Sequence, residues 1–234
     1  MKISLLIGIF FFILCPVTGQ QQDFAHIDFT RAEANARQYK GEKLSNLPVL
    51  TAKLTAYLET DAERFRAIYY WVTHNIEGNN HLLSTNERKL KKLRNLPDQR
   101  KQWQQNFTAR VFATLQKDKS TVCTGYAYLL KKMAHYAGIE CEIVNGFGLA
   151  NNKIFKEGDF PNHAWNAVKL NGKWYLCDAT WAAGYTLVTS DSFEFDYDNR
   201  YFLMAPQQFA KSHKPLEQKW YLNIKNTISQ TGIH

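Results

Sequence analysis

Residues Pro161 to Trp181 read PNHAWNAVKLNGKWYLCDATW, two alternating apolar runs hinged on Asn171-Gly172. Asn-Gly between such runs is the strongest short-range signal for a hairpin, because a two-residue type I′ turn needs φ > 0 at both central positions. Counting outward from Leu170 opposite Lys173 places His163 opposite Thr180 and Trp165 opposite Asp178. Side chains alternate between faces, so His163, Trp165, Ala167, Trp174, Leu176 and Asp178 share one face, while Asn166, Val168, Tyr175 and Cys177 share the other. His163 and Asp178 become diagonal neighbours, roughly 7–8 Å apart at Cα and within side-chain reach. An aspartate so placed can fix the tautomer of an imidazole and stabilise its charged form. Cys177 is adjacent in sequence but points the other way, unless a bulge reverses the parity. Taken alone, the hairpin fits a buried structural His–Asp pair as well as it fits two members of a catalytic set.

A cysteine nucleophile therefore has to come from elsewhere. Thiolates are favoured at helix N-termini beside a histidine, where the thiol pKa falls from about 8.5 to roughly 3.5–7.5. Cys123 is so placed: STVCTGYAYLLKKMAHYAG from Ser120 reads as a helix capped by Ser120 or Thr121, with Ala127, Leu130, Ala134 and Ala137 on one side and Gly138 closing it. Free N–H groups at that helix start would also serve as an oxyanion hole. Cys141 falls in IECEIVNGFG, a short glycine-bounded strand pattern, and reads as a small buried hydrophobe. A lone helical cysteine is more often structural than reactive, and Cys123 gains weight only from the order in which the elements follow one another.

Upstream, TDAERFRAIYYWVTHNI offers Thr60 as N-cap with Glu63 three residues on, a capping box. Phe65, Ile68, Tyr69, Val72 and Ile76 form its apolar stripe, with His74 off the stripe and facing solvent. Residues 23–40 are helix-compatible. Arg88 to Lys101 is a basic run without aromatic interleaving or a nucleic-acid motif, read as a solvated helix face. Ala109 to Leu115 precedes a polar break at Gln116 to Lys119. Beyond the hairpin, YFLMAPQQF and HKPLEQKWYL read as terminal strands or docked loops. Helices first and antiparallel strands after them define an α+β class.

Residues 1–19 join a cation at Lys2, an apolar run from Ile3 to Leu14 and the small pair Thr18-Gly19, a secretory signal peptide cut after Gly19. The run is shorter than the ~20 residues a spanning helix needs, so no integral membrane segment is expected after cleavage. Cys15 as a lipid-bearing first residue is disfavoured by the bulky Leu14 before it. The chain of 234 residues carries a net charge of +8, which favours anionic surfaces without specifying one. Export leaves Cys123, Cys141 and Cys177, an odd number, with a Cys141–Cys177 bridge open only if their strands are neighbours. No C-x₂₋₄-C or H-x₃₋₅-H spacing supports zinc on these cysteines and His163, and neither metal nor cofactor is expected.

TVCTGYA at Thr121 to Ala127, NHAWN at Asn162 to Asn166 and WYLCDATW at Trp174 to Trp181, with AIYYWVTHNI upstream, resemble the transglutaminase-like superfamily of papain-fold proteins. Within it they are most similar to the kyphoscoliosis-peptidase-like branch of secreted bacterial proteins. The likeness covers roughly residues 60 to 222, and three motifs in order make it specific. It implies a papain-like core, a nucleophile helix packed on an antiparallel sheet, following a helical extension over 20–59, with the catalytic domain over 60–234. It also implies a Cys–His–Asp triad, carried here by Cys123 as nucleophile, His163 as base then acid and Asp178 as orienter. Cys177 stands where the pattern usually has an aliphatic residue. The implied activity is acyl chemistry on amide bonds, as a peptidase, amidase or transglutaminase acting on protein or peptide, with envelope-associated substrates expected from export. A binding or scaffold protein that keeps the fold without turnover is the alternative.

Overall fold

A computed structural model describes residues 20–150, 155, 158–187 and 192–222. The expected leader and Cys15 lie outside the described residues. Among those described, no helix is long and apolar enough to cross a membrane.

The N-terminal half is helical: α1 (Thr30–Gln38), α2 (Leu47–Thr55), α3 (Asp61–Asn75), α4 (Asn80–Lys92) and α5 (Pro97–Asp118), then α6 (Cys123–Tyr136). The capping box starts α3 as read, with Glu63 N donating to Thr60 Oγ1 at 3.2 Å and Thr60 N donating to Glu63 Oε2 at 2.9 Å. Its stripe is buried in one core with Leu50 and Leu54 of α2 and with Tyr126, Leu130 and Met133 of α6. His74 departs from the expectation of a solvent-facing residue. It is half-buried, stacked on Tyr70 at 3.7 Å and close to Tyr197. The break expected at Gln116 to Lys119 comes later, because α5 runs on to Asp118 and ends at Lys119 with φ +51°.

The start of α6 also differs from the sequence reading. Ser120 and Thr121 do not cap it; they form β2 (Ser120–Thr121), paired in parallel with β1 (Glu77–Gly78). Val122 takes the N-cap position without a side-chain cap, and Cys123 is the first helical residue.

The main sheet is antiparallel, ordered β5 (Lys173–Cys177), β4 (His163–Leu170), β3 (Cys141–Gly148), β8 (His213–Pro215). The register counted from Asn171-Gly172 holds from Leu170↔Lys173 to Asn166↔Cys177. There the strand pairing stops. The expected pairs Trp165↔Asp178 and His163↔Thr180 do not form, because Asp178 instead caps α7 (Ala179–Ala183). A hairpin of β6 (Gly184–Leu187) and β7 (Ser192–Phe195) follows, then α8 (Pro206–Phe209).

The two faces of the β4–β5 hairpin bury into separate cores. Val168, Tyr175 and Cys177 join the helices, whereas Trp165, Ala167 and Leu176 pack with Val144, Phe209 and Trp220. This confirms the parity argument for Cys177, whose side chain is fully buried on the helical side. Cys141 and Cys177 are free thiols; β4 lies between their strands, so the condition for a bridge is not met. Putting a hydroxyl among these apolar groups without a partner costs about 1–3 kcal/mol. Cys177→Ser is therefore expected to lower stability by that amount in urea denaturation while leaving the alkylation rate of Cys123 unchanged.

Candidate functional site

Three elements deliver the three expected residues to one place. Cys123 opens α6, half-buried, and by the geometry of a helix start its N–H and that of Thr124 have no acceptor inside the helix. Gly125 lets the Thr121 side chain lie against this first turn. Any Cβ at Gly125 would overlap Thr121 Oγ1, so TVCTGYA needs glycine there for close approach rather than for its φ.

His163 opens β4 and is 8% exposed. A carboxylate only accepts, so His163 Nε2 carries the proton it donates to Asp178 Oδ2 at 2.7 Å. That leaves Nδ1 for the hydrogen bond the ring shares with Cys123. Trp181 stacks on the imidazole, with centroids 5.1 Å apart and planes 27° apart. An added Cβ on Gly148 would sit 3.1 Å from His163 Cβ, so the strand beside the ring is held close.

Asp178 is 0% exposed, and all its partners come from the chain itself. As N-cap of α7, its Oδ1 accepts from Thr180 N at 2.8 Å and Trp181 N at 3.2 Å. Its Oδ2 accepts from His163 and from a second histidine, His213 of β8, whose Nε2–H lies at 3.1 Å. His213 was not among the expected site residues. A single histidine in HKPLEQ has no spacing partner, and only the pairing Gly148↔His213 brings it to the hairpin.

A fourth side chain ties the parts together. Asn166, on the hairpin face opposite His163, donates from Nδ2 to Ala127 O of α6 at 3.0 Å and Glu142 O of β3 at 3.3 Å. It fixes α6 against the strand that carries the histidine.

These contacts set the charges. Burial opposes ionisation of the Cys123 thiol, but the hydrogen bond and charge of His163 and a backbone hydrogen bond from Ala164 outweigh it, holding the thiol below its usual value. Burial would push His163 down, yet the charge and hydrogen bond of Asp178, helped by Cys123, bring it up to about 10. Burial likewise opposes ionisation of Asp178, and the two histidines overcome it to hold the carboxyl well below the carboxylate range. His213 stays neutral because burial dominates. Cys141, by contrast, is pushed up by burial to about 12, and burial also raises Cys177 well above its usual value. These contacts favour a thiolate beside an imidazolium, backed by a buried carboxylate, a geometry suited to nucleophilic attack followed by proton return. Ligand atoms of His163, Asp178 and His213 lie within 4.8 Å of one another, but a cation would displace both Nε2 protons, and the hydrogen-bonded group is satisfied without one.

Comparison with known proteins identifies the family. A family model described as "Transglutaminase-like superfamily" matches residues 49–179. Mouse kyphoscoliosis peptidase is 34% identical over 83% of this chain and 26% of its own length. The human protein of that name is 33% identical over 86% of this chain and 27% of its own. The chain therefore spans about a quarter of the curated relatives it matches. A solved structure titled "Crystal structure of a TGase" superposes with a TM-score of 0.39 at 12% identity, covering 81% of this chain and 38% of that one; a likeness this loose adds nothing to the argument.

The charge pattern predicts a dependence of stability on pH. A raised histidine contributes fully below its ordinary 6.5 and loses that contribution as pH rises towards about 10. A lowered thiol contributes fully above its ordinary 9.0 and loses that contribution as pH falls. Between 6.5 and 9 the folded chain favours the proton on His163 and the unfolded chain keeps it on Cys123, so the two slopes oppose each other. Urea midpoints are expected to fall with rising pH more steeply in Cys123→Ala than in the wild type. A flat profile in the variant would contradict the ion pair.

Proposed function

Because the chain belongs to the transglutaminase-like superfamily, we propose that it is a papain-like cysteine enzyme that opens amide bonds of a protein or peptide through a thioester on Cys123. The observation that carries this reading is the position of His163, hydrogen-bonded to both Cys123 and the buried carboxylate of Asp178. In this mechanism the Cys123 thiolate attacks the carbonyl carbon, and the carbonyl oxygen takes up the negative charge facing the free N–H groups at the start of α6. The His163 imidazolium gives its proton to the departing nitrogen, the C–N bond breaks and the thioester remains. Neutral His163 then takes a proton from the second nucleophile as it attacks the thioester, and the thiolate–imidazolium pair is restored. Asp178 keeps the imidazole in one tautomer throughout and does not itself take the proton.

With water as second nucleophile the outcome is peptidase or amidase chemistry; with an amine it is transglutaminase-type transfer. We favour hydrolysis because water is abundant, and the word "peptidase" in the names of the two mammalian relatives supports the same side. We place the enzyme in a secreted or periplasmic setting on the leader pattern of residues 1–19, with envelope-associated peptides as its substrates. A scaffold or binding protein without turnover is the competing reading.

A thiol-directed probe separates the two. At neutral pH, Cys123 is expected to be alkylated by iodoacetamide at least tenfold faster than Cys141 and Cys177, and Cys123→Ala to abolish both probe labelling and release of fragments from envelope peptides. Equal labelling of the three thiols, with no turnover of peptide or amine, would leave the scaffold reading.

A further inference from the structure

Asp178 has a second histidine on the oxygen that faces the first. Its Oδ1 is already fixed by two N–H groups of α7, so the carboxylate does not need His213 to stay in place. Both His163 and His213 donate to Oδ2, at 2.7 Å and 3.1 Å. Two donors on one oxygen draw on the same charge, and each weakens what the other receives. His213 is itself held as a directed donor. Its side chain is fully buried, Phe209 stacks on it at 3.9 Å with planes 25° apart, and Ser212 Oγ–H donates to its Nδ1 at 2.9 Å. The remaining groups around the ring are Trp165 and His163 of β4, Trp181 of α7 and Tyr201. Among these, Asp178 and His163 are the ionisable partners that reach it, and Tyr201 is a neutral phenol at 6.3 Å.

We propose that His213 is a positioning residue of this site: by sharing Oδ2 of Asp178 it limits the negative charge offered to His163 and so sets how readily His163 releases its proton to a leaving group. This rests on the reading of Cys123 and His163 as a thiolate–imidazolium pair. Without His213 the carboxylate would bind the imidazolium more strongly. The ion pair would persist to higher pH, and proton delivery would slow, while the bare charge of Asp178, which opposes ionisation of Cys123, gives no help on the acid side.

The test is the pH profile of Cys123 alkylation by iodoacetamide in the full chain, read by mass mapping. His213→Phe keeps an aromatic ring against Phe209 but removes the donor. It is expected to move the alkaline step up by on the order of half a pH unit to one unit, with no downward move of the acid limb. His213→Gln, which restores an N–H donor at a similar reach, is expected to return the profile towards wild type. Ser212→Ala leaves the ring in place and weakens its donation, so it should shift the alkaline step the same way by a smaller amount. That half-buried position supplies the test should His213→Phe fail to fold. An alkaline step that stays where it is in Ser212→Ala, and in His213→Phe where it folds, would overturn the proposal, because a purely structural histidine changes rate or stability without moving it. If the wild-type profile shows no depressed thiol at all, it is the enzyme reading that fails.

Discussion

The fold is organised around one buried negative charge. Asp178 has no solvent exposure, and a carboxylate removed from water stays ionised only if its lone pairs are met by donors. Each of its polar groups is used. Oδ1 takes two N–H groups of α7, Oδ2 takes two imidazoles, its backbone N–H donates to Tyr201 O at 3.1 Å, and its carbonyl accepts from Tyr69 OH at 3.0 Å. These partners come from α3, β4, α7, β8 and the turn at Asn199–Tyr201. Losing one partner of a buried charge typically costs about 3–5 kcal/mol, so the charge selects for the single arrangement of elements that satisfies it.

The rest of the architecture makes that arrangement reachable. The β4–β5 hairpin is apolar on both faces, so it separates a helical core from a smaller aromatic one built on Trp165, Phe209 and Trp220. The helical core positions α6, and Asn166 locks its Ala127 carbonyl to the sheet. The aromatic core positions β8. Cys123 and His213 therefore approach the His163–Asp178 pair from different layers, and the two contacts are held by independent packing.

What the sequence made legible follows from where local rules dominate. Asn171-Gly172 determined the register because the turn chemistry and the two-residue period leave one solution, and the same count turned Cys177 into the core. The capping box at Thr60 was equally local. The features that escaped it depend on distant partners. Ser120 and Thr121 have cap chemistry, but pairing with Glu77 and Gly78 draws them into a strand and moves the helix start to Cys123. His163 meets Asp178 as a diagonal count suggests, yet Asp178 arrives there as a helix cap rather than as a strand residue. His74 looked exposed because its stripe neighbours are apolar and it is not; the aromatic cover from Tyr197 and Phe195 comes from far along the chain.

The placement of β8 has a temporal consequence. His213 lies 35 residues beyond Asp178, and β8 is the last of the described strands to leave a ribosome or a translocation pore. Until it docks, β3 lacks its outer neighbour, the aromatic layer lacks Phe209 and His213, and the carboxylate is one donor short. Cys123, His163 and Asp178 thus all precede in sequence the strand that supplies the last donor to the carboxylate.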